Sequence, residues 1–418
     1  MEKSKRAVVT GLGVVSPAGG TTQESWDALL SGKSAAAPIT RFDCSQFKTR
    51  FACEVKGFDP AAYFDHKEAR GMDLYTQFAA AAAAQAYGDA GLAALDGSGG
   101  DPFRRAVIFA SGIGGINTLQ EELVKYAQSG KARFSPFMVP KMIGNIAAGV
   151  IAQRYDFRGA NYGMVSACAS SSHALIDALH LIRLGKADVV IAGGSEAPIN
   201  VTGIGGFGAL RALSERNDDP AAASRPFDKD RDGFVLGEGA AALVVESLEH
   251  AESRGARVYA ELAGGGMTAD AYHSTLPHPD GVSVEKAMAL ALDDSGTAPE
   301  ETGYINLHAT STPAGDGPEI AAVQRLFKNS LGRLHVSGTK SMTGHLLGGT
   351  GALEAAITVL SIYNGIIPPT INTVNVDPEL DIHVDLTLGK PVKKQLAAAM
   401  TNSFGFGGQN ASIVFRKL

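Results

Sequence analysis

Cysteine is scarce in this 418-residue chain: three are present, Cys44, Cys53 and Cys168, too few for a disulfide framework. The start, Met1-Glu2-Lys3-Ser4-Lys5-Arg6, runs into a short glycine-broken apolar stretch with no convincing cleavage site, so a cytosolic (cytoplasmic) protein is expected. Long apolar runs are missing too. None reaches the ~18 residues of a membrane span, which makes a membrane role unexpected. Basic clusters are equally absent: 37 Lys and Arg stand against 43 Asp and Glu, a net charge of −6, with no polybasic block to meet a phosphate backbone. Nucleic acid is therefore not an expected partner. Apolar residues at 45% against 19% charged exclude disorder. Glycine, by contrast, is in excess. Its 50 residues are about 12% of the chain against a usual ~7%, with no collagen period or linker-like tract, so they must serve tight turns and close backbone contacts. At ~150 residues per domain the length allows two or three domains, or one large duplicated unit.

Gly-bounded apolar runs predict strands at Ala7 to Thr10, Arg105 to Ala110, Met164 to Ser166, Ala187 to Ala192, Ala241 to Glu246, Tyr304 to Leu307, His335 to Ser337, Ala397 to Thr401 and Ala411 to Phe415. Helical patterns lie between several of them, such as Phe78 to Tyr87 and the Leu175-Leu179-Ile182 face. Alternation of this kind, with strands apolar throughout, predicts an α/β protein whose sheet is covered by helices on both sides. An internal comparison goes further. Ala174 to Ile182 lines up with Ala352 to Leu360, each after a loop of small residues. Either these are two ordinary Ala/Leu helices, or the chain is duplicated, with halves 1–257 and 258–418 whose equivalent loops carry Cys168 and His345.

Cys168 lies in Val165-Ser166-Ala167-Cys168-Ala169-Ser170-Ser171-Ser172-His173, at a strand end and just before a helix. The helix N-terminus is expected to lower the thiol pKa and favour thiolate, although a buried core cysteine is the commoner fate. Cys44 and Cys53 have no ligand-spaced His or Cys near them and read as structural. His308, in Asn306-Leu307-His308-Ala309-Thr310-Ser311-Thr312, and His345, in Lys340-Ser341-Met342-Thr343-Gly344-His345, sit where strands break into loops. Such loops gather chemistry in α/β proteins. His273 and His278 lack that placement and read as loop residues. The run Asn402-Ser403-Phe404-Gly405-Phe406-Gly407-Gly408 lets backbone N–H groups approach a substrate closely, as an oxyanion site requires. Two patterns mislead. Asp228-Lys229-Asp230-Arg231-Asp232-Gly233 opens like a calcium loop but has Gly239 at position twelve. Gly203-Ile204-Gly205-Gly206-Phe207-Gly208 matches G-x-G-x-x-G without a strand before it.

At these residues the sequence resembles the β-ketoacyl-[acyl carrier protein] synthases, thiolase-fold condensing enzymes of the elongating Cys-His-His kind. Gly112-Ile113-Gly114-Gly115 looks like their type II branch, and Arg225-Pro226-Phe227-Asp228 and Asp232 to Gly239 also match. The resemblance implies a duplicated α/β/α/β/α layered sandwich. It implies that acyl carrier protein delivers an acyl thioester to Cys168, that backbone N–H groups of Cys168 and Phe406 hold the oxyanion, and that His308 and His345 stabilise the enolate left when the malonyl unit loses CO2. Lys340 would pair with Glu354, either as electrostatic support or as a purely structural pair. Thr310 and Thr312 would bind the phosphopantetheine arm, and Phe406 would gate the acyl pocket on the freedom of Gly405 and Gly407. Ile113 and Phe207 would line that pocket, or else be ordinary core residues. Lys67, Arg70, Lys131, Arg133, Arg211 and Arg216 are candidates for docking an acidic carrier, or are scattered solvated charge. No metal or organic cofactor is implied, and a homodimer is.

Two positions depart from the family pattern: Ala309, where glycine commonly follows the first histidine, and Ser170-Ser171-Ser172, in place of a common Ser-Gly. Four other readings compete. A thiolase proper needs a second, C-terminal cysteine, and none follows Cys168. A non-catalytic chain-length-setting partner subunit would have lost the cysteine. A polyketide ketosynthase shares the triad, and a cysteine hydrolase would release free acid.

Overall fold

The computed structural model describes residues 5–92 and 100–418. Most of the apolar, glycine-bounded runs become strands, and the strands are β1 (Ala7–Val15), β2 (Arg105–Ala110), β3 (Asn161–Tyr162), β4 (Val189–Glu196), β5 (Gly239–Ser247), β6 (Ala260–Ala269), β7 (Thr302–Asn306), β8 (His335–Ser337), β9 (Ala398–Gly405) and β10 (Gln409–Arg416). They join one sheet in the order β8-β7-β9-β10-β6-β1-β5-β4-β2-β3. Read outward from the centre, β1-β5-β4-β2-β3 repeats as β6-β10-β9-β7-β8. The senses repeat as well: β2 runs parallel to β3 and β4 while β5 is antiparallel to β4 and β1. In the other set β7 runs parallel to β8 and β9 while β10 is antiparallel to β9 and β6. A short antiparallel pairing of Ala7, Val8 and Val9 with Leu262, Glu261 and Ala260 joins the two sets.

The helices that cover this sheet are α1 (Leu74–Asp89), α2 (Ile146–Tyr155), α3 (Ser170–Arg183), α4 (Val282–Ser295), α5 (Asp316–Leu326), α6 (Lys340–Thr343) and α7 (Thr350–Asn364). Both α3 and α7 lie between the two sets of strands. Leu175 and Leu179 of α3 and Leu353 and Ile357 of α7 share one core with Ile108 of the first set and Ile413 of the second. On the outer faces α1 and α2 cover the first set, through Phe78 and Ile151, and α4 and α5 cover the second, through Met288 and Val323. Five layers result, the duplicated α/β/α/β/α sandwich that was expected, and α3 and α7 are the two segments that the internal comparison aligned.

The strands depart from expectation in two places. Met164 to Ser166 forms no strand: pairing on β2 ends at Tyr162, because the chain must leave the sheet to make the turn that carries Cys168. Strand β6 was not foreseen, since Gly264-Gly265-Gly266 erases its apolar signal. Packing explains those glycines. A Cβ on Gly266 would lie 2.0 Å from the Ala287 carbonyl oxygen of α4, and one on Gly13, in the equivalent strand β1, would lie 1.9 Å from the Ala82 carbonyl oxygen of α1. Helix backbone rests directly on strand backbone at both places. The calcium-like loop is filled by protein: Asp228 accepts N–H groups of Asp230, Val374 and Asn375 and pairs with Arg225. Although burial alone would raise it, these partners hold the Asp228 carboxyl down at about 2. The G-x-G-x-x-G run lies inside the helix Val201–Ala209.

Gly13→Ala is expected to destabilise the fold by about 1–3 kcal/mol, because neither contacting backbone can move away. Chemical denaturation checks this. An unchanged midpoint would contradict the close packing of α1 on β1.

Candidate active site

Cys168 sits in the one-turn 3-10 segment Ala167–Ala169 at the mouth of α3. Ala167, just before it, is held at φ +50°, a left-handed conformation that turns the chain sharply ahead of the sulfur. The His345 loop is built alike. It follows β8 and α6, passes through the 3-10 turn Leu347–Gly349, and enters α7. Its backbone hangs on the Val235 carbonyl and the Gly237 N–H. The third member, His308, leaves the end of β7, where both its N–H and that of Ala309 are taken by the Glu319 carboxylate of α5, each at 2.8 Å.

These elements bring the three side chains together. Cys168 Sγ is 3.0 Å from His345 Nε2, and the rings of His308 and His345 meet edge to face with centroids 5.4 Å apart. Thr350 Oγ1, 2.9 Å from His345 Nδ1, fixes the ring from behind, and Phe234 packs edge-on against it. Cys168 and His308 are each 8% exposed and His345 is 2% exposed. Ligating atoms of the three lie within 4.8 Å of one another, a spacing from which a thiophilic cation could draw three donors. Their chemistry without one is that of a nucleophile beside two hydrogen-bonding rings.

Burial decides the charge states. It pushes the Cys168 thiol up to about 11, against the downward pull of the Phe406 and Cys168 backbone N–H groups and of Lys340. The expected lowering of this thiol by the helix N-terminus is thus corrected: a desolvated sulfur loses more from burial than those N–H groups return. Burial, then the nearby Lys340 ammonium, holds both His308 and His345 well below the usual imidazole range, so both rings are neutral at physiological pH. Lys340 in turn grips Glu354 through Nζ at 2.7 and 2.8 Å, with both side chains 1% exposed. Burial pushes the Glu354 carboxyl up to about 7 against that ammonium.

One cavity, mostly apolar in its lining, contains all three residues. Phe207, Thr310, Thr312, Gly405 and Phe406 also line it. The Thr310 and Thr312 hydroxyls lie 3.0 Å apart. Gly405 lets β9 pass the nucleophile, since a Cβ there would lie 3.1 Å from Cys168 N, and Gly407 turns the chain at φ +83°. Lys340 and Glu354 stand behind the wall and act on the site through their field. Ile113 is 40% exposed and outside the cavity of this single chain, so it does not line the pocket by itself. Of the basic candidates Arg211 lies at the cavity, while Lys67, Arg70, Lys131 and Arg133 are exposed elsewhere. Arg216 is half-buried and donates to the Asp230 carbonyl.

Sequence reasoning missed several supports. Glu319 follows His308 by eleven residues and was visible only as a carboxylate in the first turn of α5. Thr350 carried no signal, and Phe234 stood in the matched Asp232 to Gly239 run without an assigned role. His278, read as a plain loop residue, lines the cavity mouth beside Asp270. The two departures also find their places: Ala309 is held at φ +32°, where glycine would be at ease, and Ser171 and Ser172 bond to α7 and β9.

Comparison with known proteins agrees with this geometry. Residues 4–251 match the model of the beta-ketoacyl synthase N-terminal domain and residues 259–374 that of its C-terminal domain. The chain is 47% identical to the 3-oxoacyl-[acyl-carrier-protein] synthase 2 of Synechocystis sp. over 415 residues, covering 99% of each. It is likewise 47% identical to that of Coxiella burnetii over 418 residues, covering 100% of each. Among solved structures, a beta-ketoacyl synthase from Burkholderia phymatum superposes with a TM-score of 0.91 at 35% identity, over 99% of this chain and 100% of that one. A type II polyketide ketosynthase, solved in complex with its acyl-carrier protein and bound to the hexaketide, gives 0.91 at 33% identity with the same coverage. With both domain models matched in order, and relatives identical at nearly half of all positions from end to end, the chain belongs to the β-ketoacyl synthase family.

Proposed function

We propose that this protein elongates fatty acyl chains. It condenses an acyl-[acyl carrier protein] with malonyl-[acyl carrier protein] to 3-oxoacyl-[acyl carrier protein] and CO2, through an acyl thioester on Cys168. The observation that carries this reading is the 3.0 Å approach of Cys168 Sγ to His345 Nε2 in a mostly apolar cavity, in a chain nearly half identical to synthases of that name. The polyketide ketosynthase is the more distant relative, at 33% identity. A chain-length-setting subunit without the cysteine does not fit a chain that keeps all three residues.

The reaction follows from the charge states. Cys168 attacks the acyl carbonyl, the pantetheine sulfur leaves with the proton that Cys168 gives up, and the N–H groups of Cys168 and Phe406 hold the oxyanion between. Malonyl thioester then enters between the rings. Breaking its C–CO2 bond leaves the electron pair as an enolate, which neutral His308 and His345 stabilise as hydrogen-bond donors. With the proton on Nε2 of His345, the Thr350 hydroxyl donates to Nδ1. The enolate carbon attacks the acyl carbonyl and expels the Cys168 thiolate. The Lys340 charge favours thiolate at Cys168 and neutral imidazole at both histidines, so the pair serves the site as well as the fold. Thioesters bring their own activation, and the proposed reaction needs no metal or organic cofactor.

Thr310 and Thr312 are placed in this reading on the pantetheine arm, Phe406 as the gate, with Gly405 and Gly407 as its pivots, and Phe207 on the acyl chain. Arg211 is the docking residue best supported, at the cavity mouth, with Lys67, Arg70, Lys131, Arg133 and Arg216 as weaker candidates. The halves are taken to divide at Arg257. A cytoplasmic homodimer completes the proposal. No helix among the described residues is long and apolar enough to cross a membrane. The exposed edge strand β3, with exposed Phe134, Phe137 and Val165 in the same half, favours a second copy that would also cover Ile113.

Four outcomes are expected. Acyl- and malonyl-carrier proteins together should yield a ketoacyl product two carbons longer and one CO2, detected by mass spectrometry; free acid as the sole product would point to a hydrolase. His308→Ala and His345→Ala should each slow CO2 release by about 10²–10³-fold, and retained rates would remove them from the mechanism. Alkylation of Cys168 by iodoacetamide, followed on its own peptide, should accelerate about tenfold per pH unit from 7 to 9, since the thiol ionises only toward 11; a plateau by pH 8 would contradict the effect of burial. Arg211→Glu should raise KM for carrier-bound substrates but not for small thioester mimics, an equal effect on both being the contrary result.

A further inference from the structure

One buried carboxylate outside the cavity joins two of the turns on which the site is built. Glu196, the last residue of β4, is 1% exposed and takes four hydrogen bonds. Ser111 Oγ (2.6 Å) and Ile113 N (3.2 Å) donate to Oε1, and Gly112 N (2.9 Å) and Gly348 N (3.1 Å) donate to Oε2. Three of these donors belong to the turn that leaves β2. The fourth belongs to the Leu347–Gly349 turn, which lies between His345 and Thr350, the two groups whose contact sets the angle of the imidazole.

The turns are pressed together. A Cβ on Gly348 would lie 2.4 Å from Gly112 N and 3.2 Å from Glu196 Oε2, and a Cβ on Gly112 would lie 2.7 Å from that same oxygen. Burial pushes the Glu196 carboxyl up to about 7, against the pull of its four donors. Both carboxyl oxygens are nonetheless filled by those donors, two to each. A glutamine could not take over, because its amide offers one accepting oxygen and would aim an NH2 at N–H groups that need acceptors.

We propose that Glu196 is a positioning residue for the decarboxylating half of the reaction: by clamping the Ser111–Ile113 turn to the Leu347–Gly349 turn it aims His345 at the enolate, without taking part in acylation of Cys168. The inference rests on the reading of His345 as an enolate donor given above. Misplacing a catalytic group by about 1 Å can cost on the order of 10²-fold, so a loosened clamp has room to act. Acylation is not slowed by loss of the clamp: its oxyanion donors are the backbone N–H groups of Cys168 and Phe406, neither of which bonds to Glu196, and the Glu196 charge reaches the thiol only through space, where it opposes thiolate.

Two variants of the full-length enzyme test this by opposite means: Glu196→Gln removes the acceptor, and Gly348→Ala wedges the turns apart. Acyl transfer from acyl-carrier protein to Cys168 is timed by mass spectrometry, and CO2 release from malonyl-carrier protein is timed separately. Both variants should acylate within about threefold of the parent and release CO2 about 10- to 100-fold more slowly. Equal losses in both half-reactions, as general destabilisation would give, or no loss in CO2 release, overturn the clamp. Ser111→Ala, which removes a single hydroxyl, should show the same split at smaller amplitude and decides the matter if the other two variants do not fold. Should the parent neither acylate Cys168 nor release CO2, it is the condensation reading that fails, a result distinct from loss of the split.

Discussion

Two helix starts that are far apart in sequence touch at the centre of the molecule, and the site depends on that contact. Ala352 N donates to Ser171 Oγ at 2.9 Å across 181 residues of chain, and the Ser172 hydroxyl meets that of Ser403. Gly351 has no room for a side chain: a Cβ there would lie 2.3 Å from Ser172 Oγ. Only at this separation do the turns before α3 and α7 bring a sulfur and an imidazole within 3.0 Å. The serines that looked like departures beside the nucleophile are the knots of this contact.

The same contact buries the three side chains, and burial sets the chemistry. A cysteine and two histidines buried in a mostly apolar cavity stay neutral, which suits a reaction that needs hydrogen-bond donors for a forming enolate more than it needs a strong base. The Lys340–Glu354 pair is an ion pair kept behind this wall, both side chains buried. Breaking such a buried pair typically costs about 3–5 kcal/mol, so its two possible roles, structural and electrostatic, are physically one. Removing the ammonium would strand a buried carboxylate and let the histidines drift toward the charged form.

Much of this was legible in the sequence because the chemistry sits at strand ends. Cys168, His308 and His345 each stand where an apolar run breaks into small and hydroxyl residues, and the aligned segments Ala174 to Ile182 and Ala352 to Leu360 are the paired central helices. What was not legible depends on tertiary contact. The thiol pKa was misread because a local helix end was weighed without the burial that outweighs it. Strand β6 was lost because Gly266 serves the backbone of α4 and carries no apolar signal. Ile113 was assigned to the acyl pocket by resemblance, yet it lies exposed and outside the cavity of this chain. Glu319, Thr350 and Glu196 act on backbone or ring atoms chosen by the fold, so no local motif marks them.

The central claim is that Cys168 carries the growing chain. Incubating the enzyme with acyl-carrier protein alone, digesting it and mapping the added mass should place one acyl group on the peptide containing Cys168 and none on those containing Cys44 or Cys53. That label should disappear when malonyl-carrier protein is added. An acyl group found on another residue, or one that stays on Cys168 after malonyl-carrier protein has been consumed, would contradict the account.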